Sequence, residues 1–147
     1  MSNFIKISNT IKPFNKILKI EGDKSLSIRW ALLASQAIGK SSATNLLMSE
    51  DVLNTIKCLK KLGVKIKINK NNCEIIGQGI NGFKLKKDII LNAGNSGTLA
   101  RLILGLLIHS KKKIKITGDK SLSKRDFFRV TKPLEKFGAK FQTNRGK

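Results

Sequence analysis

The stretch that decides the fold is Gly22-Asp-Lys-Ser-Leu-Ser27, which recurs letter for letter as Gly118-Asp-Lys-Ser-Leu-Ser123. Each copy is followed by a helix-like segment that ends in glycine and then by a strand-like segment. The junction reads Leu59-Lys-Lys-Leu-Gly-Val-Lys-Ile66 after the first copy and Leu134-Glu-Lys-Phe-Gly-Ala-Lys-Phe141 after the second. We therefore predict a repeated structural unit of about a hundred residues, with the chain stopping early in its second unit. The alternative is coincidence in a sequence rich in lysine and serine.

Between the two copies, the hydrophobic pattern alternates between helix and strand. Helices are predicted over residues 27–38, ending at Gly39, over the segment between a Ser49 cap and Gly63, and over 99–108. Strands are predicted over 43–47, 64–68, 73–76, 88–91 and 114–117, and the second of these alternates isoleucine or valine with lysine. The order predicts an α/β fold in which hairpins are mixed with helical crossovers. The helix over 99–108 is apolar nearly all round, so it is expected to be buried on every side.

Composition excludes several classes of protein. The longest apolar stretch, residues 99–108, is well short of the roughly 18 residues that span a bilayer. The N-terminus lacks the apolar core of a secretory signal. The two cysteines, Cys58 and Cys73, are too few for a disulfide framework and have no metal-ligand spacing. A membrane protein, a secreted disulfide scaffold and a zinc module are therefore not expected, and the predicted location is the cytoplasm.

The formal net charge is +21, from 30 basic and nine acidic residues, and such an excess commonly indicates a polyanion partner. Only five of the basic residues are arginine, and the lysines are spread along a chain that is also rich in isoleucine and asparagine. A general shift of the composition toward lysine, isoleucine and asparagine explains much of this charge. Tyrosine is absent, and phenylalanines are not interleaved with the basic residues as in a single-strand binder. A basic nucleic-acid-binding domain remains the alternative function of a different class.

The first candidate site is the loop-to-helix segment of the first repeat copy. Lys24 and Ser25 stand at the predicted helix entry, and Arg29 lies about one turn further on. Helix N-termini attract phosphates and carboxylates, and lysine, serine and arginine are all suitable ligands for such anions. The alternative is that Ser25 or Ser27 merely caps the helix and that both cations are solvated.

The second and third candidate sites also lie where a loop enters a helix. Gly94-Asn-Ser-Gly-Thr98 is a glycine-rich loop, and Arg101 follows in the first turn of the apolar helix. Arg125 lies just after the second repeat copy, near another predicted helix start. An anion at the glycine-rich loop would satisfy the free N–H groups of a buried helix. The alternative is an ordinary turn with Thr98 as the cap and Arg101 at the surface.

Together these segments resemble the N-terminal third of the EPSP synthase (3-phosphoshikimate 1-carboxyvinyltransferase) family. The resemblance covers nearly the whole chain and rests on four strings in order: Gly22-Asp-Lys-Ser-Leu-Ser-Ile-Arg-Trp-Ala-Leu-Leu33, Thr44-Asn-Leu-Leu47 with Glu50-Asp51, Gly94-Asn-Ser-Gly-Thr98 with Arg101, and Gly118-Asp-Lys-Ser-Leu-Ser-Lys-Arg125. A sister family that transfers enolpyruvyl to UDP-N-acetylglucosamine is the close alternative. The first and third strings favour the shikimate enzyme.

The resemblance implies transfer of the enolpyruvyl group of phosphoenolpyruvate to the 5-hydroxyl of shikimate 3-phosphate, with release of phosphate. This reaction belongs to the shikimate pathway of chorismate and aromatic amino-acid biosynthesis. By motif, Lys24 would contact both substrates, and Ser25 and Arg29 would hold shikimate 3-phosphate. No metal or organic cofactor is implied, and neither a membrane nor a nucleic acid is expected as a partner.

For phosphoenolpyruvate, the resemblance implies a backbone N–H from Gly97 and a grip on the phosphate or carboxylate by Arg125. Asn95, Thr98 and Arg101 would shape that loop. None of the family's proton-transfer residues falls within this length, so no catalytic residue is expected here.

The resemblance also implies an enolpyruvyl-transferase-like fold of two domains, each built of three βαβαββ units with helices inside and mixed sheets outside. Residues 1–20 would be the first segment of a discontinuous domain. Residues 21–147 would hold the first βαβαββ unit of the other domain and the start of its second unit. The chain is then expected to be truncated, inactive alone, and partnered by the missing C-terminal part of the same enzyme.

Overall fold

Helices and strands alternate in a mixed α/β arrangement. The computed structural model describes residues 20–143 together with Asn15 and Ile17, so the domain segment predicted over 1–20 lies almost entirely outside the described residues. The helices are α1 Lys24–Gln36, α2 Glu50–Lys61, α3 Gly97–Leu107, α4 Lys120–Ser123 and α5 Phe128–Glu135. The strands are β1 Ile38–Ala43, β2 Lys65–Asn69, β3 Asn72–Gln78, β4 Ile89–Asn92 and β5 Ile114–Thr117. From α1 to β3, this is the order of a βαβαββ unit without its first strand.

The first sheet has three antiparallel strands in the order β1-β3-β2. Its β2–β3 hairpin pairs Ile66 with Ile75 and Ile68 with Cys73, so the isoleucines of β2 share the face that covers the core. Lys65 and the other lysine of β2 are exposed, as the alternating sequence predicts. The hairpin and its inward face are therefore confirmed.

The second sheet is a parallel pair, β4 and β5, in which Ile89 lies opposite Ile114 and Asn92 lies opposite Thr117. Helix α3 connects the two strands, as a parallel crossover requires. Since both strands run in the same direction, the loops that follow them emerge at the same edge of the sheet. This edge is where the candidate residues of the second and third segments meet.

Helix α1 lies at the centre of the core. It packs against α2, α3 and β3, and Ile28 and Ala31 on its inner face have no solvent exposure. Leu59 of α2, Ile75 of β3 and Leu99 of α3 are equally buried and complete the surroundings of α1. Burying an aliphatic side chain of this size contributes about 1.5–3 kcal/mol. The core thus fixes the N-terminal ends of α1, α2 and α3 relative to one another.

The strand predicted over residues 43–47 is wrong. The strand β1 ends at Ala43, and Asn45 adopts a positive φ of 55° that turns the chain. Leu46 then enters the core with 5% of its surface exposed, while the backbone N–H of Leu47 donates to the Ser27 hydroxyl at 3.1 Å. The apolar pair that suggested a strand is a loop that packs into the core beside α1.

The expectation that the apolar helix is buried on every side is also wrong for the described residues. On α3, Leu99, Ala100 and Ile103 are buried, but Leu102 is 40% exposed and Gly105 is open to solvent. One face of α3 packs against α1 and α5. Nothing within residues 20–143 covers the other face.

Candidate anion-binding site at the carboxyl ends of the parallel strands

The loops after β4 and β5 are joined by backbone hydrogen bonds. The N–H of Ala93 donates to the carbonyl of Thr117 at 2.8 Å, and the N–H of Asp119 donates to the carbonyl of Gly94 at 2.9 Å. Gly94 has a φ of +58°, and its N–H donates to Oδ1 of Asn92 at 2.9 Å. The carboxyl ends of parallel strands are the usual ligand-binding edge of such sheets. The glycine-rich loop and the second copy of the repeat are therefore held together at this edge.

Helix α3 begins within the glycine-rich loop, two residues earlier than the sequence pattern predicts. Ser96 is its N-cap, accepting a hydrogen bond from the N–H of Leu99 at 3.3 Å, and only 1% of Ser96 is exposed. The alternative in which Thr98 is the cap is therefore wrong. Thr98 is half-buried inside the first turn. The backbone N–H groups at the start of α3 face the same loop edge, and its dipole favours an anion there.

Two guanidinium groups converge on Gly97, the first residue of α3. A Cβ placed on Gly97 would lie 2.7 Å from Nη1 of Arg125 and 3.1 Å from Nη1 of Arg101. The two arginines come from different segments, one from α3 and one from the chain after α4. Arginine presents a planar fork of N–H donors that matches phosphate or carboxylate oxygens. The space left by the missing side chain of Gly97 is thus lined by positive charge.

Each guanidinium is held in place by further contacts. Nη2 of Arg101 donates to the carbonyl of Asp126 at 3.0 Å, and its Cζ lies 5.4 Å from the centre of the Phe127 ring. Nη2 of Arg125 donates to Oδ1 of Asn95 at 2.7 Å. Asn95, Gly97, Arg101 and Arg125, which the sequence placed in two separate segments, therefore form one cluster.

Asp119 completes this cluster, and the sequence reasoning missed it. Its Oδ2 accepts from Nδ2 of Asn95 at 2.6 Å, and its Oδ1 accepts from the N–H of Leu122 at 2.7 Å. The Leu122 N–H bond is the largest cause of a pKa lowered below the usual aspartate value, and the Asn95 and Arg125 contacts act in the same direction. Asp119 is therefore ionised at neutral pH. The available signal was an aspartate three residues before the leucine in both repeat copies, which is N-cap spacing.

In the first repeat copy, the helix cap is again the aspartate. Oδ1 of Asp23 accepts from the N–H of Leu26 at 2.6 Å, so α1 begins at Lys24 rather than at residue 27. The alternative in which Ser25 or Ser27 caps the helix is therefore wrong. Both copies of the repeat begin a helix with an aspartate N-cap, which supports the interpretation that one structural motif is used twice.

Lys24 forms an ion pair with Asp51 at 3.1 Å, where Asp51 lies in the first turn of α2. Asn54 lies one turn further along α2 and close to Gly94. A Cβ added to Gly94 would overlap the side-chain amide of Asn54. The first turns of α2 therefore lie between Lys24 and the glycine-rich loop and touch both. Sequence reasoning gave Asp51 no role at the site.

The remaining first-segment residues stand apart from this cluster. Arg29 is exposed on α1 and Ser25 is half-buried, and neither side chain forms a hydrogen bond or ion pair with any described residue. Residues 20–143 contain no group of three acidic, histidine or cysteine side chains that could hold a metal ion. No helix in the described part of the chain is both long and apolar enough to cross a membrane.

Comparisons with known proteins agree on one family. A family model described as EPSP synthase (3-phosphoshikimate 1-carboxyvinyltransferase) matches residues 8–147. Proteins named 3-phosphoshikimate 1-carboxyvinyltransferase from Ruthia magnifica and Vesicomyosocius okutanii are 44% and 45% identical over 150 residues, which is 100% of this chain and 33% of each relative. The one from Bacillus subtilis is 40% identical over 129 residues, or 88% of this chain and 30% of the relative. This chain thus spans about a third of the length of these relatives.

Solved structures give the same result for the fold. An EPSP synthase from Acinetobacter baumannii superposes with a TM-score of 0.81 at 39% identity, over 88% of this chain and 30% of that one. A second structure of EPSP synthase from the same species gives a TM-score of 0.78 at 38% identity, over 85% and 28%. The mixed α/β fold predicted through the resemblance is confirmed.

Proposed function

This chain belongs to the EPSP synthase (3-phosphoshikimate 1-carboxyvinyltransferase) family, and from that membership we propose that it forms the N-terminal third of such an enzyme. The enzyme transfers the enolpyruvyl group of phosphoenolpyruvate to the 5-hydroxyl of shikimate 3-phosphate and releases phosphate, without a cofactor. The observation that carries this proposal is the convergence of Arg101 and Arg125 on the side-chain-free Gly97.

Phosphoenolpyruvate binds at this convergence. Its phosphate and carboxylate are both anionic, and two arginine forks beside a helix N-terminus supply complementary donors. Arg125 grips one of these groups and the N–H of Gly97 donates to the ligand, while Asn95, Thr98 and Arg101 shape the loop. Asn95 and Arg101 are supported in that role by their contacts with Asp119 and Asp126.

Shikimate 3-phosphate binds along the first turns of α1. Ser25 and Arg29 lie four residues apart on the helix, hence on one face, and neither side chain forms a hydrogen bond or ion pair with described residues that would compete with a ligand. Lys24 reaches both substrates. Asp51 forms an ion pair with Lys24. Because the Asp51 side chain is only 19% exposed, this pair draws the Lys24 ammonium group toward the protein.

The chemistry requires two phosphates and two carboxylates to approach one another. Screening their repulsion and fixing the hydroxyl against the enol carbon is positioning and electrostatic work, for which a cluster of cations is suited. Residues with catalytic proton-transfer roles belong to the remaining part of the enzyme. We place that part against the exposed apolar sides of α1 and α3, where Leu33 and Leu102 are 69% and 40% exposed.

The domain assignment follows from the same proposal. Residues 1–20 begin one discontinuous domain, and residues 21–147 form the first βαβαββ unit and the start of the second unit of the other. The complete enzyme acts in the cytoplasm, and its partners are small anionic substrates.

The test begins with the coding DNA beyond codon 147. If the reading frame continues, the longer product should release phosphate from phosphoenolpyruvate with shikimate 3-phosphate but not with shikimate. Arg125→Ala should raise KM for phosphoenolpyruvate, and Lys24→Ala should raise KM for both substrates, each by roughly tenfold or more. Arg129→Ala, an exposed arginine of α5 outside the cluster, is the matched control and should leave both constants unchanged.

Two outcomes would contradict the proposal. If Arg125→Ala and Arg129→Ala had equal effects, the cluster at Gly97 would not be the phosphoenolpyruvate site. If the purified 147-residue chain alone turned over at a normal rate, the assignment of proton transfer to the remaining part would be wrong.

A further inference from the structure

We propose that Asp119 is a positioning residue that orients Arg125 for anion binding, acting through the side-chain amide of Asn95. The inference rests on the proposed function for the identity of the anion, but the orientation itself is a property of the free chain. We call the Asp119–Asn95–Arg125 set of hydrogen bonds the relay. It joins a carboxylate of the second repeat copy to a guanidinium of the candidate site in two steps, at 2.6 Å and 2.7 Å.

The relay has only one satisfied arrangement, because an amide has one donor end and one acceptor end. Nδ2 of Asn95 faces the acceptor-only carboxylate of Asp119, so Oδ1 is left to face the donor-only guanidinium of Arg125. Rotating the amide by half a turn would set oxygen against oxygen and N–H against N–H. Asp119 therefore decides which atom of Asn95 is presented to Arg125.

Asp119 is itself rigidly placed. Its Oδ1 accepts from the N–H of Leu122, and its own N–H donates to the carbonyl of Gly94 in the neighbouring loop. These bonds tie one carboxylate oxygen to the backbone and leave the other directed at Asn95. The lowered pKa of Asp119 keeps it an acceptor across the neutral range, so the polarity of the relay does not reverse there.

The consequence for binding is pre-organisation. Arg125 is exposed, and an exposed arginine samples many rotamers whose loss on binding weakens affinity. The relay holds its guanidinium beside Gly97 before any ligand arrives, with Nη1 only 2.7 Å from where a Cβ on that residue would lie. Asp119 is negative, so its benefit to an anion must come from orientation, because its direct electrostatic effect on the anion is unfavourable.

The first repeat copy supplies a matched control. Asp23 caps α1 through Leu26 at 2.6 Å, just as Asp119 caps through Leu122, but Asp23 has no other side-chain partner among the described residues. Asparagine caps helices about as well as aspartate does. Asp119→Asn therefore keeps the cap but presents an NH₂ to Asn95 and breaks the relay, whereas Asp23→Asn keeps the cap and has no relay to break.

The first measurement needs no ligand. In the 147-residue chain, ¹⁵N NMR of the arginine side chains reports how fast the Arg125 guanidinium rotates. Asp119→Asn should speed this rotation severalfold, as Asn95→Ala should, while Asp23→Asn should leave it unchanged. Equal rotation in Asp119→Asn and the unmodified chain would overturn the relay, whatever the chain binds.

The second measurement is the affinity for phosphoenolpyruvate by calorimetry. Asp119→Asn should weaken binding by about five- to tenfold, which is less than the loss of one charged hydrogen bond to the ligand, because Asp119 acts only through the orientation of Arg125. In the Arg125→Ala background, the same substitution should have no further effect. An independent, multiplicative loss in that background would show that Asp119 acts on the ligand by another route and would overturn the inference.

The two measurements separate the inference from the proposed function. If the unmodified chain and the longer gene product both fail to bind phosphoenolpyruvate, while Asp119→Asn still frees Arg125, the ligand is wrong and the positioning role stands. If phosphoenolpyruvate binds and Asp119→Asn changes neither rotation nor affinity, the ligand stands and the positioning role is wrong.

Discussion

At Gly97, the absence of a side chain lets two guanidinium groups approach the first turn of α3 closely. An added Cβ would lie 2.7 Å from Nη1 of Arg125 and 3.1 Å from Nη1 of Arg101. Both of these atoms are at the ends of flexible side chains, so the arginines can move aside at little cost to the fold. In a helix interior alanine is favoured over glycine by about 1 kcal/mol, and at this first helical position the gain is smaller. Binding and stability should therefore respond in opposite directions.

We predict that Gly97→Ala leaves the free energy of unfolding unchanged or slightly raised and weakens phosphoenolpyruvate binding by roughly tenfold. Gly105→Ala is the control, because Gly105 lies in the same helix with nothing within 4 Å of an added Cβ. It should raise stability by up to about 1 kcal/mol, as expected inside a helix, and leave binding intact. Urea unfolding and calorimetry would measure the two quantities. Parallel loss of binding in both variants would contradict the role given to the space at Gly97.

At the residue scale, the sequence predicted which side chains belong to the site better than it predicted their hydrogen-bond partners. The sequence predicts a role for Arg101 and Arg125 because each lies where a loop enters a predicted helix, and the structure brings them together at Gly97. Asp119 was missed because its role depends on a hydrogen bond to a residue far away in the sequence. The bond from Asn95 to Asp119 spans 24 residues of sequence, and no local pattern encodes it.

At the scale of elements, the Asp23 cap shows why the start of α1 differs from its predicted place. The sequence reasoning considered serines as caps for α1 and began that helix at residue 27. Asp23 already accepts from Leu26, and this lets the helix begin three residues sooner. That extra turn places Lys24 and Ser25 inside the helix, where the direction of each side chain is fixed by helical geometry.

We predict that Asp23→Ala lowers the free energy of unfolding by about 1 kcal/mol, the typical cost of losing an N-cap side chain. Ser25→Ala, two positions later, should change it by less than about 0.5 kcal/mol, because Ser25 makes no side-chain hydrogen bond with described residues and alanine favours a helix. Urea unfolding of both variants at neutral pH would measure the difference. If Ser25→Ala lowered the free energy of unfolding more than Asp23→Ala did, Ser25 and not Asp23 would be the N-cap of α1.

The wrong strand prediction has a different cause. Residues 43–47 carry a short apolar run, and periodicity alone cannot tell such a run in a strand from one in a buried loop. The partner of β1 is β3, about 35 residues further on, and their register ends at Ala43 opposite Cys73. The pairing therefore stops where Asn45 turns the chain, and Leu46 is buried by tertiary packing that the local sequence does not specify.

At the scale of the whole molecule, the described residues leave large apolar side chains on the surface. Leu26 and Leu33 of α1, Leu102 of α3 and Phe128 of α5 are each at least 40% exposed. The sequence of α3 predicted complete burial, and a helix that is apolar all round normally is buried. The burial missing from residues 20–143 is what the proposed remaining part of the enzyme supplies.

Two adjacent residues of α1 make this last proposal testable. Leu32 is 4% exposed and faces the core, while Leu33 is 69% exposed and faces away from it. In the 147-residue chain, Leu32→Glu should abolish cooperative unfolding, because an unpaired carboxylate cannot be buried there. Leu33→Glu should change the unfolding free energy by less than about 0.5 kcal/mol, as is usual for an exposed site. It should also reduce binding of the dye ANS, which reports exposed apolar surface.

If the reading frame continues past codon 147, Leu33→Glu should destabilise the longer product, as Leu32→Glu does. If the following residues pack on the outer face of α1, Leu33 becomes buried and Leu33→Glu should destabilise that protein by about 2 kcal/mol or more. Thermal unfolding of both proteins, with and without each substitution, measures the change. If Leu33→Glu is as harmless in the longer protein as in the 147-residue chain, the outer face of α1 stays open to solvent, and the remaining part of the enzyme must dock elsewhere.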